Sequence, residues 1–553
     1  MKNFSKLFAV ILALILVLSL SIGASAAQLD TAYSNAQREV SLLASDFEVS
    51  GTKLEPKTTL PSSYSSLELG FTTPVRNQIY NTCFAYGALS TLETIMLKDG
   101  NEAMSFSPMH LNHWGTLRED STGWNRSYAG GGYSYISLGY LSSWQGPRLE
   151  SDYSEQTSVD DFEALDKTAE KQASVNSIIF LDTGDIDTVK TAIYEYGAVV
   201  GNYHVDEKMY NSKTYAYYCN TEGLTTAQLN GHAISIVGWD DNFSKENFVE
   251  SARPQNDGAW LCKNSWGKNW GDGGYYYISY EDNYMFDTRF GHSYTFNDYE
   301  LFDSSKHLYQ NEVDGATYEF DYVNQDTITY INVFDTNKEK NLIDKINFET
   351  TSQGASYKLY SIPVDENGTP TNDINKWTYL TSGMVPYQGY HSIDITDFAV
   401  KDDKFAIGVT LTKSEGSGNT IGVSEWLSTG GRMIFTPQAD YGMSYIKYGA
   451  TLEDVMDLYK DMLEDEIGGT FVIKAVGKCD CLIGDVDLDG ILTVLDATLI
   501  QKHLAELITL NEQQKAVADY DEDGTISVLD ATRIQIELAG MDFTTNDFED
   551  IFE

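Results

Sequence analysis

A cysteine, a histidine and an asparagine, each inside a distinctive short segment, are the residues of this chain best suited to covalent chemistry. The first segment, Pro74-Val75-Arg76-Asn77-Gln78-Ile79-Tyr80-Asn81-Thr82-Cys83-Phe84-Ala85-Tyr86, runs a polar loop into an apolar stretch with Cys83 at the junction. The second, Asn230-Gly231-His232-Ala233-Ile234-Ser235-Ile236-Val237-Gly238-Trp239-Asp240, opens an apolar run with a histidine. The third, Trp260-Leu261-Cys262-Lys263-Asn264-Ser265-Trp266-Gly267-Lys268-Asn269-Trp270-Gly271, closes on Gly273-Gly274-Tyr275. A cysteine nucleophile needs a base to form its thiolate, a third group to orient that base, and donors for the oxyanion; none need be near in sequence. Taken singly, each segment has a plainer explanation: a packed thiol, a hydrogen-bonded histidine at a strand edge, a turn. Cys, His and Asn together, in that order, are hard to explain that way.

A second set of residues has the spacing of a cation site. Asp485-Val486-Asp487-Leu488-Asp489-Gly490 is followed by Leu495-Asp496-Ala497-Thr498, and Asp519-Tyr520-Asp521-Glu522-Asp523-Gly524 by Leu529-Asp530-Ala531-Thr532. Calcium needs several oxygen ligands, and a loop spaced like an EF-hand supplies them from alternate positions. Asp485, Asp487, Asp489, Thr493 and Asp496 form one set; Asp519, Asp521, Asp523, Ser527 and Asp530 form the other. Ile491 and Thr525 add backbone carbonyls, and Gly490 and Gly524 fall where the loop turns sharply. A lone acidic turn is usually just solvated, but two matching copies predict two calcium ions.

These residues need elements to hold them. Ala85 to Leu97 is a predicted helix whose N-terminal dipole favours a thiolate at Cys83, and Ala233 to Trp239 is a predicted buried strand carrying His232 at its start. Residues 62–295 thus mix helix and strand as an α+β domain. From 296 to 477, runs such as Thr327-Ile328-Thr329-Tyr330-Ile331 and Phe405-Ala406-Ile407-Gly408-Val409 alternate with turns such as Asp365-Glu366-Asn367-Gly368, the rhythm of a β-sandwich. A helix from Ala497 to Leu504 follows the first acidic loop.

Bulk properties narrow the setting. The 553 residues exceed one core and predict about three domains. A net charge of −45 and a pI near 4.3 disfavour nucleic acid and anionic membrane as partners. Lys2 and Lys6, the apolar run from Leu7 to Ile22 and Ala24-Ser25-Ala26 have the order of a secretory signal, predicting cleavage after Ala26 and a secreted, extracellular protein. Residues 27–61 are polar and end at Pro56 and Pro61, as a propeptide or leader would. Five cysteines cannot build a disulfide scaffold. Cys219 and Cys262 flank the histidine and asparagine strands, which predicts a disulfide bracing the site; Cys479 and Cys481 are too close for an easy bond to each other.

The three catalytic segments resemble the active-site blocks of papain-like cysteine peptidases across residues 62–295. That resemblance implies Cys83 as nucleophile, His232 as its ion-pair partner and later general acid, and Asn264 orienting the imidazole under the shield of Trp266. It also implies Gln78 as side-chain oxyanion donor, with Asn77 the alternative, and no cofactor for catalysis. Gly131-Gly132-Tyr133 is similar to the family's glycine pair, where substrate backbone pairs with the enzyme. Asn81-Thr82 and Phe84 stand where the family usually has Gly-Ser and Trp, and the loop from Gln78 to Cys83 is one residue shorter than usual.

Residues 296–477, with Trp377 and Trp426, resemble the lectin-like domain that follows some bacterial members, implying glycan binding or a sandwich that packs beside the peptidase. The repeat at 482–541 resembles dockerin domains, which bind a cohesin on a cellulosome-type, polysaccharide-degrading scaffold; an acidic tail, 542–553, follows. Val494-Leu495 and Val528-Leu529 imply an apolar contact with that cohesin. The whole implies a cysteine endopeptidase acting on polypeptides at a scaffold. The alternative is an inactive papain-fold binding protein presenting a lectin-like surface, and Asn264 argues against a transglutaminase-type enzyme.

Overall fold

The computed structural model describes residues 59–153, 165, 168–225, 228–288, 291–320, 325–336, 341–400, 403–428, 433–462, 468–479, 483–488, 491–521 and 523–539. The signal segment 1–26, the leader as far as residue 58, Asp489, Gly490, Cys481, the side chain of Cys479 and the acidic tail lie outside these residues. Among the described residues no helix is long and apolar enough to cross a membrane.

Helix α1, Cys83–Lys98, extends the predicted helix by two residues at its start and one at its end, and is buried almost all round. A helix apolar on every face must sit inside a domain, and here it is flanked by α2, Pro108–Trp114, and α3, Ser134–Ser142. Helix α4, Ile186–Tyr196, starts with Asp185 accepting from Thr188 N–H and stops at Gly197, φ 111°, where only glycine turns without strain.

The peptidase sheet includes β2 (Ala173–Phe180), β3 (Val199–His204), β4 (Ala216–Tyr217), β5 (Gly231–Asp240), β6 (Ala259–Lys263), β7 (Tyr275–Ser279) and β8 (Tyr294–Leu301), with the two-residue strand Tyr210–Asn211 beyond β4. Their spatial order is β2-β8-β3-β5-β6-β7-β4, and the short β1, Ser63–Ser65, pairs with the far end of β5. Leu60 packs against the core beneath β5, and the Pro61 carbonyl accepts from Trp239 Nε1 at 3.2 Å, so the end of the expected leader lies on this domain.

The β-rich stretch is a sandwich. One sheet centres on β9 (Thr327–Asp335), with β11 (Ser356–Ile362), β13 (Lys404–Thr412) and β14 (Ser444–Tyr448); the facing sheet places β10 (Asn341–Thr350) between β12 (Gly389–Val400) and β15 (Ile473–Cys479). Their inner faces share a core that includes Ile328, Tyr330, Ile346, Phe348, Val409 and Ile473. Trp377 is buried, its Nε1 donating to Thr371 O, whereas Trp426 is exposed.

The facing sheet does not end at the sandwich. Gly389 and Tyr390 of β12 pair with Ile179 and Ile178 of β2, so one sheet runs through both domains. Gly389, φ 142°, has no room for a side chain, since a Cβ would lie 2.0 Å from the Ile178 carbonyl. Lys474 of β15, fully buried, crosses to the end of α3 with a bond of 2.6 Å to Ser143 Oγ and pairs with Glu312 of its own domain at 2.8 Å.

The repeat at the C-terminal end folds as helices α6 (Val494–Leu504), α7 (Glu512–Ala518) and α8 (Val528–Leu538), α5 being Val455–Met462 in the sandwich. Thr493 with Asp496, and Ser527 with Asp530, form capping boxes at α6 and α8. A small core of Val486, Ala497, Ile500, Leu510, Ala531 and Ile534 joins the two halves.

Candidate active site

Cys83 is the first residue of α1, and its position is set by how closely that helix lies on β5. A Cβ at Gly87 would come 3.3 Å from Ile234 N, and Thr91 Oγ1 donates to Ser235 Oγ at 2.8 Å, which pins helix to strand one turn and two turns beyond Cys83. The loop before Cys83 is tied to the same helix by buried Glu93, which takes Arg76 at 2.8 Å, Thr73 Oγ1 at 2.5 Å and the Phe106 N–H at 2.8 Å.

His232 is the second residue of β5, opposite Tyr203 of β3, and its Nε2–H donates to Asn264 Oδ1 at 2.8 Å. Asn264 follows β6, and its Oδ1 also accepts from Ser265 N–H at 2.8 Å, which fixes the amide. Trp266 covers the imidazole, ring centres 4.6 Å apart and planes inclined by 31°. With Nε2 bound to Asn264, Nδ1 is left for Cys83, and both residues line one cleft of about 490 Å³.

Burial pushes the Cys83 thiol up in pKa, against the Ala233, Phe84 and Cys83 backbone N–H groups that favour the thiolate. The helix dipole expected to favour the thiolate therefore works against a desolvation cost. Burial also brings His232 down to about 4, opposed by its bond to Asn264. Each charge is costly alone. Moving the Cys83 proton to His232 creates both charges together, so their attraction offsets the desolvation of each.

Gln78 lines the cleft beside Cys83, with Oε1 accepting from Ser265 Oγ at 2.7 Å and Nε2 donating to the Tyr80 carbonyl at 2.9 Å. The shortened loop makes that contact by turning through Tyr80 at φ 57°. Asn77, the alternative donor, is instead bridged to Trp266 through the backbone. Gly131 and Gly132 form the opposite wall, and a Cβ at Gly132 would lie 2.5 Å from the Phe84 ring.

Sequence reasoning passed over Arg126, which holds that wall. Its Nε donates to Gly131 O and its Nη2 to Gly130 O, while the remaining N–H groups reach Asn112 and the Gly115 carbonyl. Burial lowers its pKa to about 10. An arginine four residues before a glycine run was the only signal.

The predicted disulfide is not formed: Cys219 and Cys262 are both free, buried thiols. Strand order explains it. Cys219 follows β4 and Cys262 lies on β6, with β7 between them. Two strand spacings are roughly 9–10 Å, beyond the ~7 Å a disulfide can span.

Both acidic loops gather carboxylates. Ligand oxygens of Asp485, Asp487 and Asp496 lie within 4.8 Å of one another, as do those of Asp519, Asp521 and Asp523. Burial, then the charges of Asp530 and Asp523, raise the pKa of Asp521, against Arg533. Converging carboxylates that resist their own charge fit a hard divalent cation. Asp530 is fully buried, its Oδ1 accepting from Tyr520 N–H and its Oδ2 from Ser527 N–H. Thr493 and Ser527 cap their helices, and Ile491 and Thr525 stand between the carboxylates and those caps.

Fold and site together define a papain-like cysteine peptidase followed by a lectin-like β domain and a dockerin. Family models agree: papain family cysteine protease over residues 60–295, lectin like domain over 308–476 and dockerin type I domain over 483–539. Among solved structures, the clostridial cysteine protease Cwp84 after propeptide cleavage is 33% identical, with a TM-score of 0.67, over 76% of this chain and 100% of that one. The cysteine protease and lectin-like domains of Cwp84, a surface layer associated protein of Clostridium difficile, are 31% identical, with a TM-score of 0.66, over 81% of this chain and 97% of that one. Digestive cysteine proteinase 3 of Homarus americanus is 27% identical over 37% of this chain, and cathepsin S of Bos taurus 27% over 40%. The chain spans 58% and 61% of the lengths of these two relatives. The chain belongs to the papain family of cysteine proteases.

Proposed function

We propose that this protein is a secreted endopeptidase that hydrolyses polypeptides through Cys83, His232 and Asn264 and is held to a scaffold by its dockerin. The observation that carries the proposal is the His232 Nε2 to Asn264 Oδ1 bond beneath Trp266, which leaves Nδ1 for Cys83 in the same cleft. Cys83 Sγ gives its proton to His232 and attacks the scissile carbonyl carbon. The Cys83 N–H, at the start of α1, and Gln78 Nε2 stabilise the oxyanion. His232 then protonates the leaving nitrogen, the C–N bond breaks, and a thioester remains. Water attacks the thioester as His232 takes its proton, which releases the acid and restores the thiol.

The division into leader, peptidase (62–295), sandwich (296–477) and dockerin (482–541) suits this role. Because Leu60 and Pro61 are docked on the peptidase, removal of the leader falls before them. That Cwp84 is known in a form after propeptide cleavage supports such a step. Asp485, Asp487, Asp489 and Asp496 would hold one calcium, with the Ile491 carbonyl and Thr493; Asp519, Asp521, Asp523 and Asp530 would hold the second, with the Thr525 carbonyl and Ser527. The ions shape the loops and take no part in hydrolysis. Val494, Leu495, Val528 and Leu529 are exposed on the two helices and offer an apolar face to a cohesin.

The deciding experiment is hydrolysis of fluorogenic peptides by the reduced enzyme and by Cys83→Ala. Loss of all turnover in Cys83→Ala is expected. Unchanged turnover in Cys83→Ala would sink the assignment of Cys83 as nucleophile, and an inert wild type would instead support the inactive binding protein.

A further inference from the structure

The stretch of β5 that carries the catalytic histidine is held along one edge. The ladder to β6 begins at Ser235, so Gly231, His232, Ala233 and Ile234 depend on their pairing with β3, where His204 faces Gly231, Tyr203 faces His232 and Asn202 faces Ala233. The same stretch presents the Ala233 N–H to the Cys83 thiol. A slip of this backbone therefore moves the base and a donor to the nucleophile together.

Where the ladder between β3 and β5 ends, a side chain continues it. The Val205 N–H donates to the Asn230 carbonyl at 2.8 Å, and the Asn230 N–H donates to Nδ1 of His204 at 2.9 Å. Asn230 and Gly231 are exposed, whereas His204 is 8% exposed. The imidazole thus takes the place of a backbone carbonyl at the strand end, two residues before His232.

An imidazole accepts at Nδ1 only when it is neutral and carries its proton on Nε2. Protonation turns Nδ1 into a donor facing the Asn230 donor, and attraction becomes repulsion. The groups around His204 set when that happens. Asp206, two residues on, favours the charged form; Tyr284, from the segment after β7, sets its ring edge-on to the imidazole with centres 6.3 Å apart; and the Tyr217 hydroxyl of β4, whose phenol feels the charge of buried Asp282, donates to the His204 carbonyl. Burial lowers the pKa of His204 from its ordinary 6.5, with Asp206 opposing. The accepting form therefore persists below that value and is lost on further acidification.

We infer that His204 is a positioning residue for His232, which holds residues 230–233 in register only while its imidazole is neutral and so turns the peptidase down as the medium becomes acidic. It touches no reacting atom and acts through the backbone it holds. The inference rests on the peptidase activity proposed above.

The test is the profile of kcat/KM between about pH 4 and 8 for full-length wild type, His204→Asn and His204→Phe on one fluorogenic peptide. Asn keeps an oxygen acceptor near the place of Nδ1 and does not titrate, whereas Phe keeps a ring and has no acceptor. His204→Asn should stay within about twofold of wild type near pH 7 and exceed it by roughly threefold or more at the acid end, because one protonation has been removed from the acid limb. His204→Phe should fall by roughly two- to tenfold near pH 7, the net worth of one hydrogen bond. An acid limb identical in wild type and active His204→Asn overturns the inference, since a merely structural histidine leaves the limb in place. Wild-type kcat/KM in His204→Phe near pH 7 does the same. Nitrogen NMR of the His204 ring in full-length Cys83→Ala needs neither variant to fold: the Nε2–H tautomer is expected, and the Nδ1–H tautomer overturns the inference. A wild type inert at every pH removes the peptidase proposal and this inference with it, and that result is read from the wild type alone.

Discussion

Replacing Asn264 by Ala tests the site through its orienting bond rather than its nucleophile. The bond to be lost is 2.8 Å long and joins two groups that are 3% and 5% exposed, so water cannot replace it without entering a packed region. Leaving the His232 Nε2–H unpaired there costs about 1–3 kcal/mol. If that cost falls on the transition state, kcat/KM drops by about 5- to 150-fold, at ~1.4 kcal/mol per tenfold. Cys83 and Trp266 remain, so activity survives. The pH profile supplies an independent sign. The Asn264 bond raises the proton affinity of His232 against the burial that lowers it. Without the bond, the imidazolium loses its proton more easily, and the alkaline limb of kcat/KM should move to lower pH. The assay is kcat/KM against pH for both enzymes on one fluorogenic peptide. Wild-type kcat/KM in Asn264→Ala, or an alkaline limb moved upward, would refute the role given to Asn264.

Gly132→Val should raise KM more than it lowers kcat, because a side chain there meets the Phe84 ring at 2.5 Å and displaces the wall that aligns substrate; unchanged KM would mean substrate does not use this wall. Burial first, then Glu319, pushes Glu349 up to about 8, with His292 opposing. The folded state then keeps a proton that the unfolded chain releases above its ordinary 4.5, so stability falls as pH rises through that window toward 8. Glu349→Gln should flatten the fall in Tm between about pH 5 and 8, and an equal fall in both proteins would show that Glu349 is not its source. Chelation should melt the C-terminal module, and Asp485→Ala with Asp519→Ala should abolish cohesin binding while peptide hydrolysis persists, because each loop gathers mutually repelling carboxylates. Wild-type cohesin affinity of that double variant in chelator would contradict the calcium-dependent dockerin.

What could be seen in the sequence follows from how local each signal is. Cys83, His232, Asn264 and Trp266 lie in segments whose neighbours are also part of the chemistry, so the segments identify themselves before any fold is known. The acidic loops are local too, since their ligands lie within a dozen residues. The helix at Cys83 and the strand at His232 were visible as apolar runs because both are buried over nearly their whole length. The disulfide expectation failed because it rested on Cys219 and Cys262 flanking the histidine and asparagine strands, where strand order decides: β7 comes between them once the sheet has formed.

The same reasoning explains why the boundary between peptidase and sandwich looked cleaner in the sequence than it is in the fold. Composition changes near residue 296, but hydrogen bonding does not stop there. β12 joins the edge of β2, Lys474 donates to Ser143 Oγ at the end of α3, and the strand Ile434–Thr436, itself paired with Leu427–Ser428, adds to Gly123–Asn125. Each contact pairs residues more than two hundred positions apart, and no periodicity connects them. Breaking Lys474 from Glu312 would strand a buried charge, which is strongly destabilising, and removing the sandwich would expose the edge of β2. The sandwich is therefore part of what holds the cleft in shape. The glycine wall stands on Arg126, Arg126 follows the shared three-stranded sheet, and two of that sheet's strands come from the β-rich domain. A domain whose aromatic content suggested a surface for glycans thus has a second, structural claim on the active site, carried by buried residues rather than by its exposed face.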